Sequence, residues 1–218
     1  MAPSPFPVTT TEEERYGKGE YTAHSSICGV FISWDPQSTA GRALAEILGV
    51  PYISMDRIMW KPGWVQTPRE EFSAELVAAM EQNERGWVAD GEYANRGGLI
   101  AYGTSTDVIW LDPPLLLYFP RIVLRTFLRL FRLEEPCSSE CPERVSEVFF
   151  SKESIIWWCI SNHWIVRERN RARMAEIGLE EGTDVEHRRM RRIGGWGTDL
   201  TNWLRDVYDM VSSKAKAD

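Results

Sequence analysis

The sequence has no apolar stretch that approaches the ~18 residues needed to cross a membrane. Its most apolar segment, Val108 to Phe131, is interrupted by Asp112, three prolines and three arginines. Residues 1–25 lack the apolar core of a secretory signal, and the glutamates at 12–14 are untypical of a mitochondrial presequence. These absences predict a cytoplasmic protein without a membrane partner.

Cysteine is scarce as well, with four residues in a chain of 218. In a cytoplasmic protein these cysteines are expected to be reduced thiols. Cys137 and Cys141 form the one closely spaced pair, and no histidine lies near them in the sequence. Because structural zinc usually takes four ligands from two such pairs, the spacing argues against a zinc site.

Lysine is also rare, since 20 of the 25 basic residues are arginine and most of these lie in the second half of the chain. The net charge of −7 argues against a nucleic-acid partner. Arginine carries a planar fork of donors that matches phosphate and carboxylate groups. Local arginine clusters in an acidic chain therefore favour a small anionic or phosphorylated substrate.

Short apolar runs alternate with segments of helical spacing along the chain. This alternation predicts an α/β fold, a parallel sheet with helices on both faces in three layers. Residues 1–25 are expected to be a disordered tail, and 26–218 one domain. Strands are predicted at 27–32, 51–54, 86–91, 107–111 and 187–193. Helices are predicted at 40–48, from 67, from 113 to about 132, from about 145 to 175, and from 198.

Polar residues mark two of the helix starts. Thr67 and Glu70 flank Pro68 with the spacing of a capping box, and Asp112 precedes two prolines as a capping residue would. Farther along, Arg167, Arg169, Arg171 and Arg173 recur every second residue. This spacing scatters them around a helix, which predicts a solvated helix end. Four tryptophans are predicted to lie in the core: Trp157, Trp158, Trp196 and Trp203.

From Cys28 to about Arg173 the order of motifs resembles a family of P-loop proteins related to adenylate kinase. Bacterial members of this family are often labelled topology-modulation proteins. The most specific segment is 56–72, which reads DRIMWKPGW at 56–64 and TPREEF at 67–72. The other matching segments are LAEILGVP at 44–51, WVADGEY at 87–93, IWLDPP at 109–114 and CPER at 141–144. The resemblance implies a nucleotide-kinase-like fold with a lid-like loop at 133–145.

The phosphate-binding loop departs from the family's pattern. A Walker A loop requires G-x-x-x-x-G-K-[ST], but Phe31 and Pro36 stand for the glycines and Gln37 for the lysine. Pro36 lacks an N–H group, and the lost lysine removes a positive charge that would face phosphate. The resemblance leaves Gln37, Ser38 and Thr39 as the cofactor-binding residues, with the Ser38 hydroxyl on magnesium. Two explanations stay open: a degenerate loop, or an incorrectly assigned exon.

The resemblance also implies roles for residues that follow the strands. Asp56 would be the general base that contacts the acceptor, and Asp90 would hold Mg²⁺ through water. Arg121 and Arg125 would stabilise charge on the transferred phosphoryl group. The alternatives are a turn residue for Asp56 and a helix cap for Asp90. For the arginine face, which continues with Arg129 and Arg132, the alternative is a solvated surface that pairs with Glu134 and Glu135.

Trp60, Lys61 and Tyr93 complete the predicted substrate site, with Trp64 beside them. The alternative for residues 60–64 is a surface loop that folds onto the helix starting near Thr67. The resemblance therefore implies ATP- and Mg²⁺-dependent phosphoryl transfer to a small acceptor such as a nucleotide. A non-catalytic member that binds a nucleotide weakly, or a protein partner, is the second hypothesis.

Overall fold

The computed structural model of the chain describes residues 28–33, 38–131, 133 and 155–216. The expected tail at 1–25 lies outside this part of the chain, and so does the lid-like loop at 133–145 apart from Leu133. The Cys137–Cys141 pair and residues 34–37 of the phosphate loop also lie outside it.

A five-stranded sheet forms the centre of the described chain, and every pair of neighbouring strands is parallel. The five predicted strands are confirmed. Their bounds are β1 (Cys28–Ser33), β2 (Tyr52–Ser54), β5 (Gly86–Asp90), β6 (Asp107–Leu111) and β7 (Met190–Ile193). The order across the sheet is β2-β5-β1-β6-β7. All five residues of β5 are buried, as expected for a strand covered on both faces.

Helices lie between the strands and after them. They are α1 (Ser38–Leu48), α2 (Met55–Met59), α3 (Arg69–Glu81), α4 (Leu99–Thr104), α5 (Leu115–Leu130), α6 (Ile155–Ile177) and α7 (Thr198–Lys214). A short 3₁₀ turn covers Ala94–Arg96. The predicted start of α7 at Thr198 is confirmed, and α5 runs through Pro120 without interruption. None of the helices in the described ranges combines the length and apolar character needed to span a membrane.

Alternate strand residues point to two separate cores, one on each face of the sheet. In β1, Phe31 joins the core that contains Phe72 and Leu76 of α3. Its neighbour Ile32 joins the core that contains Leu44 of α1, and Trp203 of α7 packs against that core. The α/β prediction is therefore confirmed: helices cover both faces of the parallel sheet, in three layers.

Residues 60–66 form a hairpin that the sequence patterns do not predict. Strands β3 (Trp60–Lys61) and β4 (Val65–Gln66) pair in antiparallel fashion. Gly63 has φ 75° and Trp64 has φ 63°, so the turn uses two consecutive left-handed residues. The Trp60 and Trp64 rings meet edge to face with centroids 5.5 Å apart, which helps to hold Trp64 in that conformation.

The predicted capping role of Thr67 is wrong. Helix α3 has Pro68 at its N-cap and no side-chain cap hydrogen bond. Thr67 is fully buried, and its hydroxyl donates to the Ile58 carbonyl at 2.6 Å, while its N–H donates to the Met59 carbonyl. The side chain therefore ties the base of the hairpin to α2, a contact between segments that the local capping pattern does not reveal.

The prediction of core tryptophans is wrong at two positions. Trp157 is 58% exposed and Trp196 is 65% exposed. Trp203 is half-buried and packs against the core beneath α7, and the side chain of Trp158 lies outside the described part of the chain.

Candidate functional site

Two acids lie at the same edge of the sheet. Asp90 is the last residue of β5, and Asp56 lies in the first turn of α2, directly after β2. Strands β2 and β5 are parallel neighbours, with Ser54 level with Asp90. Both carboxyl groups therefore lie at the carboxyl ends of the strands, where parallel sheets bind their ligands.

Asp90 is buried, with 8% of its surface exposed, and the Tyr52 hydroxyl donates to its Oδ2 atom at 2.7 Å. Burial raises the pKa of Asp90 from 3.8 to about 7. The hydrogen bond from Tyr52 lowers this pKa, the negative charge of Asp56 raises it, and Arg125 and Arg42 lower it. The Asp90 carboxyl therefore titrates near neutral pH.

Asp56 is half-buried, and a tyrosine hydroxyl orients its carboxylate. Tyr93 Oη donates to Asp56 Oδ1 at 2.5 Å, although the two residues are 37 positions apart. The Tyr93 ring packs against Phe72 of α3 with centroids 5.7 Å apart. Two residues that the resemblance assigns to substrate binding are thus joined directly.

Helix α5 places Arg125 near enough to Asp90 for its positive charge to lower the pKa of that carboxyl. Arg121 lies one turn earlier on the same helix and is exposed, and Arg129 lies one turn later and is half-buried. Of the two predicted catalytic arginines, Arg125 is thus the one whose charge acts on Asp90. The alternative pairing of this face with Glu134 and Glu135 lies outside the described residues.

The start of the phosphate loop differs from the resemblance. Strand β1 continues to Ser33, and Phe31 is 1% exposed and level with Ala89 and Val108 in the core of the sheet. The position aligned with the first loop glycine is thus part of a central strand, and four residues, 34–37, connect β1 to α1. Gln37 and the side chain of Ser38 lie outside the described part, and Thr39 is exposed in the first turn of α1.

Trp60 and Lys61 lie on the hairpin, after α2 and its acid. The Lys61 ammonium forms an ion pair with Glu71 in the first turn of α3. This contact agrees with a hairpin folded onto α3. The side chains are 38% and 44% exposed, so the pair is a weak one that an anionic ligand can disrupt. Substrate contact by Trp60 and Lys61 stays a prediction.

The capping role predicted for Asp112 is wrong. Helix α5 has Pro114 at its N-cap without a side-chain cap hydrogen bond. The Asp112 side chain is 3% exposed, and it accepts from Arg167 at 2.7 Å and from Arg192 at 2.6 Å. Asp112 therefore ties α6 and β7 to the end of β6.

The solvated helix end predicted for α6 is also wrong. Arg169 and Arg173 both donate to Glu92, whose side chain is 9% exposed. Arg173 is itself 9% exposed, and its guanidinium lies over the Tyr102 ring, 4.6 Å from the centroid. Arg171 is exposed, as predicted. The arginines of α6 thus face two carboxylates at the strand ends.

A buried polar pair lies beside the Asp112 cluster. Tyr118 Oη and His163 Nδ1 are 2.7 Å apart, and both residues line a small cavity with Asp112 and Arg167. Burial lowers the pKa of His163, and the charge of Arg167 lowers it further. Nearby Cys159 is a buried free thiol, and burial raises its pKa to about 11, so it is a poor nucleophile.

Three residues of this edge were missed by the sequence patterns: Tyr52, Arg42 and Glu92. Tyr52 alternates with buried Ile53 in β2, so strand periodicity could have placed it on the opposite face from Ile53. Arg42 lies over the Tyr52 ring, 5.4 Å from its centroid. Glu92 follows a strand in the same way as the predicted acids, but its partners are 77 and 81 residues away.

Within the ranges that the structure describes, no group of three or more His, Cys, Asp or Glu side chains could hold a metal ion. Magnesium usually takes only one or two protein carboxylates and completes its shell with water and substrate phosphates. Asp90, the residue that the resemblance assigns to Mg²⁺, would supply one such carboxylate.

Comparison with known proteins gives no match for this chain, either among models of protein families or among curated sequences.

Proposed function

We propose that this chain is a P-loop kinase-like phosphotransferase that moves a phosphoryl group from ATP to a small acceptor such as a nucleotide. The observation that carries the proposal is the position of Asp56 and Asp90 at the carboxyl edge of a parallel sheet, with Arg125 near enough to Asp90 for its charge to lower the pKa of that carboxyl. The order of the motifs at 44–114 supports it. Under this proposal the protein acts in the cytosol, where free thiols such as Cys159 stay reduced.

Asp56 is the base in this proposal. Tyr93 donates to Oδ1, so Oδ2 is the oxygen that takes the proton from the acceptor hydroxyl. As that proton moves to Asp56, the acceptor oxygen bonds to the γ-phosphorus of ATP and ADP leaves. Proton transfer to a positioned carboxylate typically contributes about 10²–10⁴-fold to the rate.

Asp90 is the magnesium residue, acting through water, and the Ser38 hydroxyl is its partner by resemblance. If Mg²⁺ were bound there, it would neutralise negative charge that develops on the phosphates during transfer. Because burial raises the pKa of Asp90 to about 7, the carboxyl must lose a proton before it takes part. Metal-dependent activity is therefore expected to rise with pH through neutrality.

Cationic side chains complete the site. Arg125, close to Asp90, and Arg121, one turn earlier on α5, stabilise charge on the transferred group. Trp60 and Lys61 bind the acceptor from the hairpin, and Lys61 exchanges its exposed contact with Glu71 for an anionic group of the ligand.

A second candidate function is nucleotide binding without turnover. The connection between β1 and α1 has four residues and includes Asp35, Pro36 and Gln37. In the sequence, Asp35 adds a negative charge to the segment that replaces the phosphate loop, and Pro36 lacks an N–H donor. The N-terminus of α1 still supplies N–H groups and a favourable dipole, which permits weak anion binding.

The test is phosphoryl transfer by the full chain at millimolar Mg-ATP with a panel of nucleoside monophosphates, read as ADP release and phosphorylated acceptor. Asp56→Asn keeps the size of the side chain and can still accept from Tyr93. It should lower kcat by about 10²–10⁴-fold with little change in melting temperature. Asp107→Asn is the matched control, because Asp107 is exposed at the opposite end of β6.

Retention of kcat within a factor of three in Asp56→Asn would show that Asp56 is a turn residue. The absence of transfer to every acceptor, together with measurable nucleotide binding, would contradict the kinase proposal and support the second candidate.

A further inference from the structure

The segment 91–93 connects the two acids of the candidate site. Gly91 follows Asp90 with φ 123°, and a Cβ atom there would lie 2.9 Å from the Cβ of Met55, the residue before Asp56. The Gly91 N–H also points to the Ile32 carbonyl of β1, at 3.4 Å. The segment therefore passes directly against the start of α2, at a distance that tolerates only glycine.

Glu92, the next residue, is held by α6. Its Oε1 atom accepts from Arg173 Nη1 at 2.5 Å, and its Oε2 atom accepts from Arg169. The carboxylate is nearly excluded from solvent, so loss of these partners would leave an uncompensated buried charge. Arg173 is fixed in turn by Asn170, which is fully buried, and by the Tyr102 ring. Glu92 is thus anchored to the long helix α6 by two arginines.

Tyr93 carries the contact to the other acid. Its hydroxyl donates to Asp56 Oδ1 at 2.5 Å, and its carbonyl accepts from the N–H groups of Arg96 and Gly98 at 2.8 and 2.9 Å. A Cβ atom on Gly98 would lie 3.0 Å from the Tyr93 backbone, so the chain closes tightly around this residue. One peptide bond separates the α6 anchor at Glu92 from the hydroxyl donor at Tyr93.

We infer that Glu92 is a positioning residue for Asp56: its ion pairs with Arg169 and Arg173 hold residues 91–93 so that the Tyr93 hydroxyl stays on Asp56 Oδ1. Helix α6 is thereby coupled to the orientation of the base. The inference rests on the proposed function for its effect on rate, but the coupling from Glu92 to Tyr93 is independent of any activity. The experiment below has one arm for each.

The first arm uses no activity. The full chain is prepared with 3-fluorotyrosine at position 93, and its ¹⁹F signal is recorded in the parent and in three variants. Asp56→Asn identifies the signal change that follows from an altered acceptor. Glu92→Gln should change the Tyr93 signal in shift or linewidth. Asp112→Asn is the matched control, because Asp112 is also a buried carboxylate with two arginine partners, and these partners, Arg167 and Arg192, are not the ones that hold Glu92.

An unchanged Tyr93 signal in Glu92→Gln would overturn the inference, and so would an equal change in Asp112→Asn. If Glu92→Gln does not fold, Arg169→Gln replaces it, since Arg169 is the more exposed of the two partners. A smaller change of the Tyr93 signal in the same direction is then expected. An unchanged signal in Arg169→Gln would likewise overturn the inference.

The second arm is kinetic. Glu92→Gln and Tyr93→Phe should each lower kcat about tenfold, with the KM for Mg-ATP within about threefold of the parent. The double variant should lose no more than the larger single loss, because both changes remove the same constraint on Asp56. Additive losses, or a change confined to KM, would overturn the positioning role. If the parent shows no transfer, the proposed function fails while the fluorine result still decides the coupling.

Discussion

The buried carboxyl of Asp90 should make the protein less stable as pH rises. Burial raises its pKa from 3.8 to about 7, so between these values the folded chain keeps a proton that the unfolded chain has lost. Stability rises with pH only where the unfolded state binds more protons, and here the folded state binds more. The contribution of Asp90 is therefore favourable near pH 4 and is lost as pH rises through about 7.

The magnitude follows from the pKa difference. At 1.36 kcal/mol per pKa unit, the change from 3.8 to about 7 corresponds to about 4 kcal/mol at most. Asp90→Asn removes the charge and keeps an oxygen that accepts from Tyr52. We expect its free energy of unfolding at pH 8 to exceed that of the parent by about 2–4 kcal/mol. The difference should disappear near pH 4, where the native carboxyl is uncharged.

Urea unfolding followed by tryptophan fluorescence measures this difference between pH 4 and 8, in EDTA so that no divalent metal binds. The m-value should stay constant, so that a shifted midpoint reports stability alone. Asp209→Asn, at an exposed position of α7, should show no comparable dependence. A difference below about 0.5 kcal/mol across the range, or a less stable Asp90→Asn at pH 8, would refute the reasoning, because it would mean that the arginines hold Asp90 ionised.

Three further outcomes are expected. Calorimetry should show that Mg-ATP binds no more tightly than about 100 μM, or about −5.5 kcal/mol, because residues 34–37 lack the glycine and lysine of a phosphate loop. Gln37→Lys alone should not restore tight binding. A low-micromolar dissociation constant for either protein would contradict this prediction. Asp112→Ala should lower the free energy of unfolding by about 2–3 kcal/mol, because two partly exposed arginines lose their carboxylate partner. A urea midpoint like that of the parent would count against this prediction. Thr67→Val should lower the free energy of unfolding by about 1–2 kcal/mol in the same assay, because the Ile58 carbonyl loses its hydroxyl donor. An unchanged free energy of unfolding would show that water replaces the hydrogen bond.

Much of the secondary structure could be predicted from local patterns. The run at 107–111 is apolar and ends before two prolines, and the structure has β6 at the same residues. Thr198 was predicted to start the last helix, and it does. The capping roles that local patterns predict for Thr67 and Asp112 are wrong, because each side chain bonds to a residue of another segment instead.

The candidate site was predicted in part. The placement of Asp56 and Asp90 after their strands follows from the sequence, because parallel strands end at one edge of a sheet. Their hydrogen-bond partners do not follow from the sequence, because Tyr52 is 38 residues from Asp90 and Tyr93 is 37 residues from Asp56. The strand predicted at 27–32 already includes Phe31, and the structure extends β1 by one residue to Ser33.

The sequence by itself determined the order of strands and helices, because continuous apolar runs and helical spacing are local properties that each segment carries alone. It also determined which acids stand at the strand ends. Only the tertiary structure decided what those acids face. Helical spacing predicts which arginines of α6 lie on the same face of the helix. Which residues that face contacts depends on how the helix packs on the sheet. Glu92 therefore lies between Arg169 and Arg173, and Asp112 between Arg167 and Arg192, because burying a carboxylate requires cations at contact distance.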